Sequence, residues 1–183
     1  STLVIGDTTH DLQMAANPWR RAIDTHPANF PEAHHDIADS SQVEPRRYPR
    51  TTILMASPEC TFHSGARTKR HQADLFDPKG DPSAERSRAT MWDVCRFAEH
   101  HRYEIVIVEN VVEAATRWEP FQAWLGVMRS LGYEHRVLSL NSMVAHPAPQ
   151  SRDRIYVVFW RSGNKAPDLD IRPMGFCSKH GEV

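Results

Sequence analysis

The sequence predicts an α/β domain built on a mostly parallel β-sheet. Strand-like and helix-like segments alternate along the chain, which is the pattern of a parallel sheet with helices on both faces. Two of the strand-like runs, TILMA (52–56) and EIVIVEN (104–110), are almost continuously apolar, as strands covered on both faces are. A chain of 183 residues that is 40% hydrophobic can bury one core, so we expect a single domain over residues 1–183.

Three strands and one helix are predicted in the amino-terminal part of the chain. LQMAA (12–16) is predicted as the first strand. Asn17 is predicted as a helix cap with Pro18 at the first helical position, and the helix extends through residues 19–30. A second strand is predicted in HHDIAD (34–39), and TILMA is the third.

The carboxy-terminal part is predicted to contain two helices and three strands. An apolar stripe at helical spacing predicts a helix over residues 86–101, and a second stripe predicts a helix over 118–131 that Gly132 stops. EIVIVEN lies between these helices. The strands HRVLSL (135–140) and RIYVVFW (154–160) follow, separated by a proline-bearing loop.

Two loops are the expected places for chemistry. Residues 57–85 contain glycine and proline residues and little periodicity, and so long a loop inside a domain is usually functional or disordered. In open α/β sheets, ligands bind beyond the carboxyl ends of the strands. Cys60 follows the TILMA strand and Glu109 lies at the end of the EIVIVEN strand, so both occupy such positions.

The composition excludes several classes of protein. Three scattered cysteines do not form a disulfide framework and favour a reducing compartment. No signal peptide is recognised, and no apolar run approaches the ~20 residues that span a bilayer. We therefore expect a cytoplasmic, bacterial or phage-encoded chain with no membrane partner and no obligate protein partner. The net charge of −1 provides no global basic field, although basic residues cluster inside the 57–85 loop.

Three short segments, in order, carry a resemblance to a known family. They are SPEC (57–60), VENV (108–111) and QSRDR (150–154). Together they resemble the DNA (cytosine-5) methyltransferase family, in which a cysteine loop, a Glu-Asn-Val segment and a Gln-x-Arg-x-Arg segment follow successive strands. The resemblance extends from about residue 12 to about residue 165. It implies a Rossmann-like, S-adenosylmethionine-dependent methyltransferase fold whose sheet ends in a carboxy-terminal antiparallel hairpin.

The resemblance implies covalent catalysis on a flipped cytosine in double-stranded DNA. Cys60 matches the family's nucleophile, which adds to C6 of the base so that C5 can accept a methyl group. Glu109 matches the carboxylate that contacts N3 and N4 of the base, and Asn110 is expected to hold the loop. Two further catalytic residues and four DNA-binding residues are implied: Arg152 and Arg154, and Gln150, Arg67, Lys69 and Arg70.

The same resemblance implies that S-adenosylmethionine is the cofactor. Asn17 and Trp19 match the positions that hold the ribose and the adenine. Asp39 is expected to contact the adenine amino group, with Asp36 as the alternative. Ser57 and Pro58 are expected to line the methionine side.

The chain also departs from the family pattern. Glu59 separates Pro58 from Cys60, where the family has Pro-Cys-Gln. The family's first strand and glycine-rich loop are not recognised, and residues 166–183 are expected to begin a target-recognition region. The expected enzyme is therefore a catalytic-domain fragment, and the alternative is a non-catalytic DNA-binding module of the same fold.

Other cysteines and histidines have simpler interpretations. Cys95 lies on the apolar stripe of the 86–101 helix and is expected to pack in the core. Cys177 and His180 form half of a zinc pattern, and the eleven histidines show no ligand spacing, so no metal site is predicted. A metal-dependent hydrolase is the weakest alternative.

Overall fold

A computed structural model describes residues 2–5, 8–59, 82–145, 149–171, 176–177, 179 and 181–182. The strands are β1 (Thr2–Ile5), β2 (Thr8–Asp11), β3 (Met14–Ala16), β4 (His34–Asp36), β5 (Ile53–Ala56), β6 (Ile105–Asn110), β7 (Tyr133–Asn141), β8 (Asp153–Arg161), β9 (Phe176–Cys177) and β10 (Gly181–Glu182). The α-helices are α1 (Arg20–Thr25), α2 (Pro82–His101), α3 (Glu113–Thr116), α4 (Phe121–Ser130) and α5 (Ser142–Ala145). Short 3-10 helices cover His26–Ala28, Ser40–Gln42 and Pro45–Arg47.

The main sheet has four strands in the order β5-β6-β8-β7. β5 runs parallel to β6, whereas β8 runs antiparallel to both β6 and β7. β3 and β4 form a separate parallel pair. The predicted α/β fold and its antiparallel β7–β8 hairpin are confirmed. The four-stranded sheet itself is mixed rather than mostly parallel, because β8 enters it between β6 and β7 in the reverse direction.

The core lies between one face of the sheet and the helices α2 and α4. Along β6, Val106, Val108 and Asn110 are buried and alternate with less buried residues, as the two-residue period of a strand requires. The apolar members of this face pack in one cluster with side chains of α2, α4 and β8. The stripe of α4 therefore faces the sheet, as its spacing predicts.

Trp124 joins three elements at the centre of this core. Its side chain is fully buried, and its indole Nε1–H donates to the Met91 carbonyl oxygen at 2.8 Å. Its ring meets Phe159 edge to face, with 5.2 Å between the ring centroids. Trp124 on α4 is thereby tied to both α2 and β8. Trp118 is also buried, in agreement with the predicted core spacing of the two tryptophans.

The first helix is shorter than predicted and begins later. Trp19, not Asn17, is the residue that caps α1, and the Asn17 side-chain Oδ1 accepts the Trp19 N–H at 2.8 Å in the turn before the helix. The helix then changes to 3-10 form at His26–Ala28. Pro27 explains the change, because proline lacks an N–H for the α-helical ladder.

The two later helices also differ at their ends. α2 begins at Pro82, four residues before the predicted start of this helix at Arg86. Proline suits the first turn of a helix because its missing N–H has no partner there. α4 begins at Phe121 rather than at position 118, after Pro120. Gly132 ends it as predicted, with φ of 86° and its N–H bonded to the Arg129 carbonyl at 2.9 Å.

Some short elements were not predicted. β1 and β2 form an antiparallel hairpin, as do β9 and β10. α3 follows β6, and α5 lies inside the predicted loop between β7 and β8. Elements of two to four residues are too short for hydrophobic periodicity to identify. No helix in the described ranges is long and apolar enough to cross a membrane.

Cys95 packs in the core, as predicted. It lies on α2 and belongs to the buried cluster. Burial raises the pKa of the Cys95 thiol to about 12. Because the thiolate is the nucleophilic form of cysteine, Cys95 is chemically inert in the folded chain near neutral pH.

His101 is expected to make folding stability depend on pH. It is buried, and its Nε2 lies 2.8 Å from the Pro45 carbonyl oxygen. Burial lowers the pKa of His101 below its ordinary value. The unfolded chain therefore takes up the proton more readily, so this stability is present above about pH 6.5 and is lost as the pH falls.

In urea unfolding, we expect His101→Gln to lose less free energy of unfolding on acidification than the unmodified chain.

The control is His34→Gln, which makes the same change at an exposed position of β4. It is expected to keep the pH dependence of the unmodified chain. An equal pH dependence in His101→Gln and the unmodified chain would contradict this account.

Candidate functional site

The ends of the parallel strands β5 and β6 are held together by one amide. Ala56 is opposite Val108, so the residues after each strand leave the sheet at the same edge. Asn110 is 2% exposed, and its Nδ2–H donates to the Pro58 carbonyl oxygen at 3.3 Å. Its Oδ1 accepts the Val111 N–H at 2.8 Å. One side chain thus fixes both the chain that follows β5 and the turn that follows β6.

A second contact anchors the same segment to α2. The Glu59 N–H donates to the Thr90 hydroxyl oxygen at 3.1 Å. Thr90 is buried on α2, one residue before Met91, whose sulfur lies 3.5 Å from Asn110 Nδ2. The main chain is therefore anchored up to the residue that precedes Cys60 in sequence. Cys60 itself lies outside the described residues, as do Arg67, Lys69 and Arg70.

Glu109 and Arg154 form an ion pair on the other face of the sheet. Glu109 Oε1 lies 2.8 Å from Arg154 Nε, with 31% and 18% of the two side chains exposed. The strand register explains the contact, because Glu109 is opposite Tyr156 and Arg154 lies two residues away along β8. Such diagonal neighbours are within reach of long side chains. A charged pair thus borders the strand end at which Asn110 holds Pro58.

Gln150 and Arg152 lie near this pair in sequence but make different contacts. Both are exposed, and they precede β8. Ser142 fixes their backbone, because its N–H donates to the Arg152 carbonyl at 3.0 Å and its hydroxyl donates to the Gln150 carbonyl. Of the two arginines, it is Arg154 that forms the ion pair with Glu109.

The strand ends of β3 and β4 bring together the residues expected to bind the cofactor. Asn17 follows β3, and Asp36 ends β4 directly beside it, with the Asn17 N–H donating to the Asp36 carbonyl at 3.2 Å. The Asp36 carboxylate accepts the Tyr48 hydroxyl at 3.1 Å. Burial, together with this hydrogen bond, raises the pKa of Tyr48 to about 12. Tyr48 therefore remains a hydrogen-bond donor to Asp36 at neutral pH.

The other expected cofactor residues also follow the carboxyl ends of their strands. Asp39 caps the 3-10 helix at Ser40–Gln42, and its Oδ1 accepts both the N–H and the hydroxyl of Ser41, at 3.0 and 2.8 Å. Trp19 is 63% exposed. Ser57 is exposed after β5, and Pro58 is half-buried under the Asn110 amide.

Three polar residues of α2 were missed by the sequence analysis. Thr90, Asp93 and Arg96 follow one another at three-residue spacing, beside the apolar stripe. Residues three apart share one face of a helix, so this polar row was a detectable signal. Its partners could not be identified, because they lie in the 40–43 turn and the 57–59 segment, remote in sequence.

An independent comparison of the sequence with protein families identifies the family. The family model for C-5 cytosine-specific DNA methylase matches residues 5–176. The chain belongs to this family. No curated protein matches the chain significantly.

Solved structures of DNA methylases and related proteins share the fold. A prophage-encoded E. coli protein assigned as a DNA modification methyltransferase superposes with a TM-score of 0.63 at 16% identity, over 91% of this chain and 47% of its own. S. pombe Dnmt2 methyltransferase superposes with a TM-score of 0.61 at 17% identity, over 85% of this chain and 43% of its own. The Entamoeba histolytica methyltransferase EhMeth superposes with a TM-score of 0.58 at 14% identity, over 89% of this chain and 49% of its own. This chain therefore spans less than half the length of these structures.

Asn110→Asp is expected to lower the free energy of unfolding by about 1–3 kcal/mol. The carboxylate can still accept the Val111 N–H, but it cannot donate to the Pro58 carbonyl and is buried against it. Chemical denaturation measures the change. Asn29→Asp makes the same change at an exposed position and should alter stability far less. Equal effects of the two substitutions would contradict the role of Asn110.

Proposed function

We propose that the chain is the catalytic core of a DNA cytosine-5 methyltransferase. Its substrate is a cytosine flipped out of double-stranded DNA, and its methyl donor is S-adenosylmethionine. The observation that carries the proposal is the joint placement of Pro58, Glu109 and Asn110 at the ends of two parallel strands. The expected nucleophile, Cys60, comes directly after Glu59, the last residue of this anchored segment.

The anchored segment suits nucleophilic catalysis by Cys60. Its thiolate adds to C6 of the cytosine ring, which places electron density on C5. After C5 has gained a methyl group, a base removes the C5 proton, and elimination of the Cys60 thiolate restores the aromatic ring. The Asn110–Pro58 and Thr90–Glu59 hydrogen bonds support this role, because a nucleophile acts best when the backbone that carries it is held in place.

Glu109 is proposed to act as the general acid toward the same base. In its protonated form the carboxyl group donates to N3 and accepts from the N4 amino group of the cytosine while the sulfur adds to C6. Arg154 orients the carboxyl group through the 2.8 Å contact between its Nε and Glu109 Oε1. Arg152 and Gln150 are exposed and lie two and four residues before Arg154 in the sequence. They are proposed to hold the DNA strand around the flipped base, together with Arg67, Lys69 and Arg70.

The residues at the β3 and β4 strand ends fit an adenosine group. Asn17 and an acidic residue, Asp39 or Asp36, offer hydrogen-bond acceptors for hydroxyl and amino groups, and the exposed indole of Trp19 offers a flat apolar surface. S-adenosylmethionine supplies an electrophilic methyl group when it is bound. Ser57 is proposed to line the methionine side of the same site.

A DNA duplex containing 5-fluorocytosine tests the nucleophile. Fluorine at C5 blocks the final elimination, so a working enzyme stays bonded to the DNA in the presence of S-adenosylmethionine. We expect denaturing gels and peptide mass spectrometry to show an adduct on Cys60 for the unmodified protein and for Cys95→Ala. Cys60→Ala is expected to form none, and an adduct with that variant would refute the assignment.

Glu109→Gln is expected to lower the rate of methyl transfer by about 10²–10⁴-fold, as loss of a positioned acid–base group does. The amide keeps the shape of the side chain, so DNA affinity should change little. Single-turnover transfer of labelled methyl groups measures the rate, and fluorescence anisotropy measures binding. Glu113→Gln, a similar change four residues later on α3, is the control and should keep the rate. A Glu109→Gln rate equal to that of the control would exclude the proposed role.

A further inference from the structure

One turn of the chain is held by a closed ring of hydrogen bonds that none of the expected site residues takes part in. It is formed by Asp93 and Arg96 of α2 with Ser40 of the 3-10 turn. Arg96 donates to the Ser40 carbonyl through Nη2 and to the Val43 carbonyl through Nη1, the latter at 2.7 Å. The Ser40 hydroxyl donates to Asp93 Oδ2 at 2.8 Å. Asp93 Oδ1 in turn accepts Arg96 Nη2 at 3.0 Å.

The ring fixes the residue next to Asp39 from two directions. Ser40 is held by its carbonyl oxygen and by its hydroxyl group, so its peptide plane and its side chain are both constrained. Asp39 is bonded to the same turn through the Ser41 N–H and hydroxyl. The direction in which Asp39 points is therefore set by the orientation of the turn, which α2 holds.

Arginine and aspartate are suited to this task. The planar guanidinium group donates several hydrogen bonds in a fixed geometry, which the single ammonium of lysine cannot reproduce. Asp93 is buried, and its charge is balanced by Arg96, whose side chain is 37% exposed. Removing Arg96 takes away its hydrogen bonds to the Ser40 and Val43 carbonyl groups, and removing Asp93 leaves the Ser40 hydroxyl without this acceptor.

We propose that Asp93 and Arg96 are positioning residues that aim the Asp39 carboxylate at the 6-amino group of the bound adenine. The inference rests on the proposed function and on Asp39 as the adenine-binding acid. It goes further by assigning the selectivity for that amino group to a pair of residues on α2. The pair acts through the Ser40 turn and touches neither cofactor nor DNA.

The test compares two ligands in calorimetry: S-adenosylhomocysteine and its analogue with hydrogen in place of the 6-amino group. The unmodified protein is expected to prefer the amino-bearing ligand. Asp39→Ala removes the acceptor, and Arg96→Lys removes the hold on the turn. Each is expected to reduce the preference about tenfold, the loss of a hydrogen bond to a charged group. The double variant should lose no more than Asp39→Ala alone, because both changes remove one interaction.

A matched control separates positioning from loss of stability. Tyr133→Phe deletes a buried hydrogen bond from the Tyr133 hydroxyl to the Tyr103 carbonyl, 2.8 Å long and remote in sequence from the turn. It should lower the free energy of unfolding without changing the ligand preference. A rise in the dissociation constants of both ligands by the same factor in Arg96→Lys would indicate a purely structural role and overturn the inference.

Two other outcomes also decide the question. An unchanged preference in Asp39→Ala would overturn the inference and favour Asp36 as the acid. If the unmodified protein bound neither ligand, the cofactor assignment itself would fail. Failure of the positioning role is distinguishable from failure of the cofactor assignment. The first is an unchanged preference in Arg96→Lys beside normal ligand binding by the unmodified protein, whereas the second is the absence of that normal binding.

Discussion

The packing of α2 against the sheet is the constraint on which the rest of the structure depends. Its apolar face is buried with β6 and α4, and the Trp124 indole bonds to the helix backbone at Met91. Its polar row then reaches the segments that follow β4 and β5. Thr90 holds the segment after β5, whereas Arg96 holds the turn after β4. One helix thereby fixes the relative positions of two strand ends that lie far apart in sequence.

Two ion pairs in the structure have different surroundings and different consequences. Asp93 is 12% exposed in its side chain, and its partner Arg96 also bonds two main-chain carbonyl groups. Burying such a pair brings little net stability, because desolvation offsets much of the attraction, but removing one partner is costly. In the Glu109–Arg154 pair the acid is the more exposed partner, at 31% against 18% for the arginine. The Asp93–Arg96 pair therefore shields its carboxylate and holds a turn, whereas the Glu109 carboxylate is partly open to solvent.

Cys60 and Cys95 occupy different places in the chain, and different roles are proposed for them. Cys95 faces the core from the middle of a helix, where burial raises the pKa of its thiol and keeps it protonated. Cys60 follows a strand whose end is fixed by Asn110 and Thr90. A reactive cysteine needs both access and a defined backbone. The proposed assignment of the nucleophile is consistent with this difference.

Local pattern in the sequence was sufficient for the main elements. Continuous apolar runs identified β5 and β6, apolar stripes identified α2 and α4, and Gly132 marked the end of α4, because burial and backbone conformation act on neighbouring residues. The ordered segments around Cys60, Glu109 and Arg154 also indicated the family that residues 5–176 match. Helix ends were less accurate where proline altered them, as at α1 and α2.

Tertiary structure decided the contacts between distant segments. The insertion of β8 between β6 and β7, the Glu109–Arg154 pair and the Asn110–Pro58 bond all depend on strand order and register. The polar row on α2 was visible in the sequence, but its partners at Ser40 and Glu59 lie 53 and 31 residues away from the side chains they meet. Periodicity reports only which face of an element is apolar. Which groups meet across that face is settled when the elements pack together.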